Sequence, residues 1–313
     1  MTQPVIVIGA GVMGLSSAIR LLEAGREVRI LTRDLSLQTT SAVAGAIWHP
    51  YAVQPMERAM VWGAVALQQF YRLMEVPEAG VSLMPLREVY DHVVERHWAS
   101  DYLRRVDAIP SRELPSGAGS GFVLEMPVVQ MPKYLTWLVA QVERLGGRIE
   151  QRTLTTLDEV AAPDVLVVNC SGLGSRQIAA DASMFPIRGQ VAKVAAPTVC
   201  EGYLSEWGDH KVTYIFPRPD GIILGGVSQR GDENLDVSEA DAEDIRQRCV
   251  AINPALAAAP IISVSVGLRP GRPAVRLESE QRADGSVIIH NYGHGGAGVT
   301  LSWGCADEVA QLA

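Results

Sequence analysis

Val5-Ile-Val-Ile8 is an unbroken β-branched run, the pattern of a strand buried on both faces in a parallel sheet. Gly9-Ala-Gly-Val-Met-Gly14 follows without a gap, and apolar residues at Leu15, Ala18, Ile19, Leu21 and Leu22 then repeat with helical spacing as far as Gly25. Glu27-Val-Arg-Ile-Leu31 reads as the next strand. Strand, G-x-G-x-x-G and helix in one short unit predict a βαβ dinucleotide fold. Gly9 turns the chain, Gly11 lets a pyrophosphate approach the backbone, and Gly14 packs helix on sheet. The choice of dinucleotide is open at this point. Thr32 stands where an acidic ribose ligand is expected, and Arg33 beside it suits the 2′-phosphate of NADP.

The 313 residues are enough for two ordinary domains, and 48% hydrophobic with 20% charged residues excludes a disordered chain. With 27 Lys+Arg against 35 Asp+Glu the net charge is −8, so no global positive field draws the chain to nucleic acid or an anionic membrane. Lys133, Lys193 and Lys211 are the only lysines, which leaves arginine, the better fork for a carboxylate, to carry most positive charge. Cys170, Cys200, Cys249 and Cys305 are widely spaced among apolar neighbours and are expected to be buried free thiols. The longest apolar stretch, Ala59 to Leu67, is too short to cross a bilayer, and Met1-Thr-Gln-Pro4 leads into the first strand rather than a secretory leader. A soluble, cytoplasmic protein is expected.

Asp164-Val-Leu-Val-Val-Asn-Cys170 is a second strand that runs into Ser171-Gly172, and the helical spacing from Pro132 to Leu145 supplies the crossover that feeds it. Elsewhere the texture changes. Gln190 to Ala195, Val212 to Phe216 and Ile222 to Val227 read as antiparallel strands, the last two joined by a turn at Pro217-Arg-Pro-Asp-Gly221. Glu113 to Gly121 reads as a loop and Ser238 to Cys249 as an acidic amphipathic helix. The expected class is α/β: a Rossmann-type domain with a parallel sheet from 1–50, 133–185 and 285–313, and a β-rich antiparallel domain from 51–132 and 186–284.

Ser286-Val-Ile-Ile-His290 is a strand and Val299 to Leu312 a helix, with Gly293, Gly295, Gly296 and Gly298 between them. That order places bare backbone at the positive end of a helix dipole, repeating the logic of the opening turn. His290 and His294 straddle a strand and a loop, so they do not share a helical face as zinc ligands do, and no metal is expected. His92 and His97, near Trp98, are expected to be partly buried structural residues.

Seven segments together carry a family pattern: Gly9-Ala-Gly-Val-Met-Gly14, Val43-Ala-Gly-Ala-Ile-Trp-His-Pro-Tyr51, Val168-Asn-Cys-Ser-Gly172, Pro186-Ile-Arg-Gly-Gln190, Gly267-Leu-Arg-Pro-Gly-Arg-Pro273, Arg276-Leu-Glu278 and His290-Asn-Tyr-Gly-His-Gly-Gly296. In this order, and over nearly the whole chain, they closely resemble the FAD-dependent D-amino-acid oxidases. Ile30-Leu-Thr-Arg-Asp-Leu35 resembles the Arg-Asp variant of some members, which turns the cofactor reading from NADP to FAD.

The resemblance implies FAD contacts at Gly9, Gly11, Val12, Met13, Gly14, Arg33, Asp34, Thr39, Thr40, Gly45, Ala46, Ile47, Ser171, Gly172, Gly293, Gly295, Gly296, Val299 and Thr300. It also implies that Arg269 grips the substrate carboxylate through two parallel bonds, that the Tyr214 hydroxyl shares it, and that the Gly296 carbonyl accepts from the α-amine. The implied reaction passes a hydride from Cα of a D-amino acid to the flavin, whose charge the helix beginning near Val299 would stabilise. Dioxygen then yields hydrogen peroxide, and imine hydrolysis yields a 2-oxo acid and ammonia. Expected partners are a D-amino acid and dioxygen, with a homodimer compatible and neither nucleic acid nor membrane.

Arg272 and Arg276 are expected to pair with Glu278, Glu280 or solvent. One departure concerns the segment from Leu204 to Thr213, which is shorter than in animal-type members. Counting back four from Tyr214 gives His210 in place of a second tyrosine, so a lid is not expected. D-aspartate oxidase and glycine/sarcosine oxidase are the same-fold alternatives, the first needing a further cation from His210, Lys211 or Arg218. An NADP-dependent dehydrogenase or a non-catalytic flavoprotein are the alternatives of another class.

Overall fold

The computed structural model describes residues 3–196, 198–207 and 211–313. The opening unit is β1 (Val5–Ile8), α1 (Val12–Glu23) and β2 (Val28–Thr32), with the helix starting directly on the glycine turn, three residues ahead of Leu15. Next come α2 (Met56–Leu73), β3 (Val81–Tyr90), β4 (Val106–Ala108), β5 (Ser120–Val129), α3 (Met131–Arg144), β6 (Arg148–Gln151), β7 (Leu166–Asn169) and the short α4 (Ser175–Ile178). The second half holds β8 (Phe185–Val194), β9 (Gly202–Trp207), β10 (Lys211–Arg218), β11 (Gly221–Gly225), β12 (Gln229–Arg230) and α5 (Glu239–Ile252). It closes with β13 (Ile261–Gly271), β14 (Arg276–Gln281), β15 (Val287–Tyr292) and α6 (Gly298–Leu312).

One sheet has the order β14-β15-β7-β1-β2-β6. All neighbours in it are parallel except β14, which returns antiparallel along β15. Residues 276–281, assigned from sequence to the β-rich part, therefore belong to this sheet by their pairing. Helix α1 packs on α3 and α6, and α2 packs on α6. Leu15, Leu21 and Ile30 are fully buried in this layer, each side chain contributing about 1.5–3 kcal/mol of hydrophobic stabilisation. Trp303 of α6 donates its buried indole N–H to the Tyr134 hydroxyl of α3 at 2.7 Å, closing the polar gap between those helices.

The second sheet runs β12-β8-β11-β10-β9-β3-β5-β4, with β13 also paired to β8. It is antiparallel apart from β3 with β9. The predicted turn narrows to Pro219-Asp220, because Arg218 pairs with Gly221 and Pro217 stays in the strand opposite Ile222. Strand β8 begins at Phe185, five residues before the sequence pattern announces it, because pairing with β13 overrides the weak strand preference of Pro186 and Gly189. Cys170, Cys249 and Cys305 are buried as expected, but Cys200 is exposed in the turn between β8 and β9. His92 is exposed as well, whereas His97 is fully buried. Among the described residues no helix is long and apolar enough to cross a membrane.

Candidate active site

The C-terminal ends of β1, β2 and β7 open onto a cavity of about 610 Å³, which reaches across to the inner face of the second sheet. Its position outside the carboxyl ends of parallel strands is where ligands of open α/β sheets bind. At its floor Gly9 has φ +103°, and a Cβ there would lie 2.7 Å from the Cys170 carbonyl oxygen. A Cβ at Gly14 would overlap the Gly9 carbonyl, so turn and helix meet only through glycine. No side chain caps α1 at Gly11; the Val12 N–H donates to Ser41 Oγ at 3.1 Å.

Thr32 has a structural task at the end of β2. Its hydroxyl accepts from the Ala10 N–H at 3.1 Å and donates to the Asp34 carbonyl at 2.7 Å, tying the glycine turn to the following loop. Arg33 is paired with Asp34 at 2.7 Å on the rim, so its charge is already engaged by a neighbour.

From the second sheet, Arg269 on β13 and Tyr214 on β10 also line the cavity. Arg269 Nη1 donates to the carbonyl of Val227 at 3.1 Å and of Arg188 at 3.4 Å, and among the described residues no carboxylate pairs with the guanidinium. Tyr214 is buried and stacked on Phe216, with centroids 4.5 Å apart and planes 11° from parallel. Burial raises its phenol pKa, and the positive charge of Arg269 offsets only part of that. The Tyr214 hydroxyl is therefore a protonated donor at neutral pH.

The C-terminal glycine loop forms the third wall, with Gly295, Gly296 and Val299 on the cavity. Two buried polar atoms beside it, Asn291 Oδ1 at the end of β15 and His294 Nε2 in the loop, have no partner among the described residues. Burial lowers the His294 pKa to about 3, so its imidazole is neutral. Of the nineteen sequence-expected cofactor positions, Gly14, Gly293 and Thr300 stand behind the wall rather than on it. Gly14 packs on the turn, Gly293 makes room for Arg272, and the Thr300 hydroxyl donates to the His49 carbonyl at 2.8 Å and accepts from its N–H at 3.0 Å.

Sequence reasoning passed over several wall residues. Tyr51 lies with its ring 5.7 Å from the Arg269 guanidinium and its hydroxyl 2.9 Å from Ser228 Oγ. His49, Glu88, Tyr90 and Trp98 also line the cavity, and the register Glu88–Leu204–Tyr214 puts Glu88 two strands from Tyr214. The signal for His49 and Tyr51 was the motif Trp48-His-Pro-Tyr51; Glu88 and Trp98 carry none, since Glu88 comes to the cavity through the pairing of β3 and Trp98 through packing on Trp48 and His49.

Other expectations resolve differently. Arg276 pairs with Glu278 and Glu280, as expected, but Arg272 pairs with Asp181 at 2.9 Å. Arg218, a candidate second cation, is buried, bound to Asp220 at 3.0 Å and absent from the cavity wall. His210 lies outside the described residues, and so does the Lys211 side chain.

The model of the FAD dependent oxidoreductase family matches residues 4–312. A D-amino-acid oxidase of Rubrobacter xylanophilus is 42% identical over 309 residues, spanning 98% of this chain and 95% of that protein. The chain belongs to the D-amino-acid oxidase family of FAD-dependent oxidoreductases. A D-amino-acid oxidase of Streptomyces coelicolor is 39% identical, covering 99% of this chain and 96% of that one, and a D-aspartate oxidase of Homo sapiens is 35% identical, covering 99% and 94%. Among solved structures, a glycine oxidase from Geobacillus kaustophilus superposes with a TM-score of 0.80 at 18% identity over 98% of this chain and 93% of its own, a likeness of fold.

The site of this family member fits FAD on its own chemistry. The turn at Gly9 and Gly11 offers backbone without side chains, and the first turn of α1 offers backbone N–H groups beside the Val12 N–H that Ser41 already holds. The wall near α6 offers Asn291 Oδ1 of β15 and His294 Nε2 of the glycine loop, buried and unpaired among the described residues. An orphaned buried acceptor or donor costs about 1–3 kcal/mol unless a ligand meets it.

Proposed function

We propose that the chain is a D-amino-acid oxidase with dioxygen as acceptor, producing a 2-oxo acid, ammonia and hydrogen peroxide. The observation that carries this reading is Arg269. It is a partly buried guanidinium on the cavity wall, held by two backbone carbonyls and, among the described residues, without an acidic partner. An uncompensated cation in such a wall suits an anionic ligand group, and its planar fork suits a carboxylate.

FAD, when bound, supplies the hydride acceptor and the later reaction with dioxygen. The residues of this chain supply position. Arg269 and the protonated Tyr214 hydroxyl hold the substrate carboxylate, and the Gly296 carbonyl accepts from the α-amine. Three fixed contacts define handedness, so one enantiomer directs its Cα–H, and the other its side chain, at the cofactor. An amine that reacts in its neutral form needs no protein base, and the neutral His294 is not asked to be one. The N-terminus of α6, without a side-chain cap at Ala297, favours negative charge on a group bound beside it.

The sixteen lining positions among the expected cofactor contacts support the same assignment for FAD. We further propose a discontinuous FAD-binding domain and a discontinuous substrate domain, with residues 276–284 moved to the first because β14 pairs with β15. A cytoplasmic enzyme is the reading that the sequence favours. The direct test is anaerobic: D-alanine should bleach the oxidised flavin spectrum and L-alanine should not, while no bleaching by any D-amino acid contradicts the proposal.

A further inference from the structure

Glu88, His97 and His49, joined by the Tyr90 hydroxyl, make a largely buried polar cluster beside Trp98 that the reaction above does not use. Glu88 on β3 is 5% exposed and forms part of the cavity wall. Its Oε1 accepts from the Tyr90 hydroxyl at 2.8 Å, and its Oε2 lies 3.0 Å from His97 Nε2. The tautomer of His97 follows from its other nitrogen, Nδ1, which accepts the Ala99 N–H at 3.1 Å. His97 therefore carries its proton on Nε2 and donates it to Glu88.

His49 is the third member. Its Nε2 lies 3.5 Å from Glu88 Oε1, its ring stands edge-on to Trp98 at 5.1 Å, and about a fifth of the side chain, 22%, is exposed. It lines the cavity that also holds Arg269 and Tyr214. Its backbone is fixed on both sides by the Thr300 hydroxyl. The ring is thus a positioned hydrogen-bonding group on the cavity wall, with one nitrogen turned to Glu88, which the register Glu88–Leu204–Tyr214 sets two strands from Tyr214. Burial alone would raise the Glu88 carboxyl, but the contacts of His49 and His97 outweigh it and hold the group well below the usual carboxylate range.

The charge of the cluster follows. Glu88 brings one negative charge, His97 and Tyr90 are neutral donors, and His49 adds at most one positive charge. The other cationic side chains on the described wall are Arg33 and Arg152 near the ends of β2 and β6, and Arg269, which the α-carboxylate occupies in the proposed reaction. His294 is neutral. A side chain beyond Cα therefore meets a polar ring edge carrying no net positive charge.

We propose that His49, oriented by Glu88, is a specificity-determining residue of this site, selecting D-amino acids with an uncharged amide or hydroxyl side chain over apolar and acidic ones. The inference rests on the oxidase reading and deepens it. His49 is the recognising group; Glu88 is a positioning residue whose charge also turns anionic side chains away.

The test uses the FAD-loaded enzyme and three substrates, D-asparagine, its near-isostere D-leucine, and D-aspartate, with kcat/KM ratios taken within each preparation so that partial loss of folded protein cancels. His49→Leu should lower the D-asparagine to D-leucine ratio by about tenfold or more, since a buried polar contact is lost for one substrate only. His49→Gln, which keeps a hydrogen-bonding amide, should stay within about threefold of the parent. Glu88→Gln keeps the shape and removes the charge, and should raise the D-aspartate to D-asparagine ratio about tenfold. An unchanged ratio in His49→Leu, or an unchanged D-aspartate ratio in Glu88→Gln, overturns the proposal. Failure of the parent enzyme to oxidise any D-amino acid would instead remove the oxidase reading beneath it.

Discussion

The guanidinium of Arg269 lies directly over Gly189, so that a Cβ at position 189 would come within 2.5 Å of its central carbon. The two residues sit on paired strands, β13 and β8, and Gly189 is opposite Gly267 in the register. A bare backbone on β8 is what lets the long side chain lie along the sheet and reach the Val227 carbonyl. Gly189→Ala should therefore displace Arg269 without touching the cofactor turn. The expected outcome is a rise of about tenfold or more in KM for D-amino acids with normal flavin content; an unchanged KM counts against the placement of Arg269 as carboxylate ligand.

The opening turn separates two effects of adding one methyl group. A Cβ at Gly11 meets Ser41 Oγ at 3.2 Å, a contact a hydroxyl rotor can relieve, whereas a Cβ at Gly14 overlaps the Gly9 carbonyl. Gly11→Ala should keep the fold and weaken FAD binding at least about tenfold, as followed by flavin fluorescence on titration of apoprotein. Gly14→Ala should lower the unfolding midpoint of the apoprotein itself, because backbone cannot move aside as a side chain can.

The link between α3 and α6 is open to a stability measurement. Tyr134→Phe removes the acceptor of the buried Trp303 N–H and should cost about 1–3 kcal/mol in urea unfolding. A Trp303→Phe change in the same background should recover part of that loss, since the unpaired donor then disappears.

Acid should act through His294. Its pKa is about 3 in the fold, pushed down by burial, against an ordinary value of 6.5. Below 6.5 the unfolded chain takes up a proton that the folded chain refuses, so the contribution of neutral His294 to apoprotein stability is fully present above that value and is lost progressively as pH falls toward 3. Urea midpoints at about pH 7 and about pH 5 should differ more in the parent than in His294→Gln, with the parent weaker at the lower pH. Equal differences in the two proteins contradict the assignment.

Much of this molecule is local, and the local part was legible. Residues 5–31 announce strand, turn and helix because Val-Ile alternation, glycine and helical apolar spacing all act within a few residues. Strand β8 was half hidden, since Pro186 and Gly189 are poor strand formers and only pairing with β13 holds them extended. The same limit applied to the site. Arg269, Tyr214 and the glycine loop lie in motifs that the sequence displays, whereas Glu88 and His97 join His49 through tertiary packing. Arg272 was misassigned for a related reason: Asp181, its partner, is ninety-one residues away, while Glu278 and Glu280 were near in sequence. Thr32 read as a missing acidic ligand, yet it is the hydroxyl that binds the glycine turn to the loop after β2.

The central claim is a D-selective oxidase whose carboxylate ligand is Arg269. It is tested most directly by hydrogen peroxide release from the flavin-loaded enzyme over a panel of D- and L-amino acids, glycine, sarcosine and D-aspartate, with Arg269→Ala run in parallel. The account predicts peroxide with neutral D-amino acids and none with their L-enantiomers, and a KM raised by at least about a hundredfold in Arg269→Ala with FAD retained. Peroxide formed equally from both enantiomers, or an Arg269→Ala enzyme with the parent KM, would contradict it.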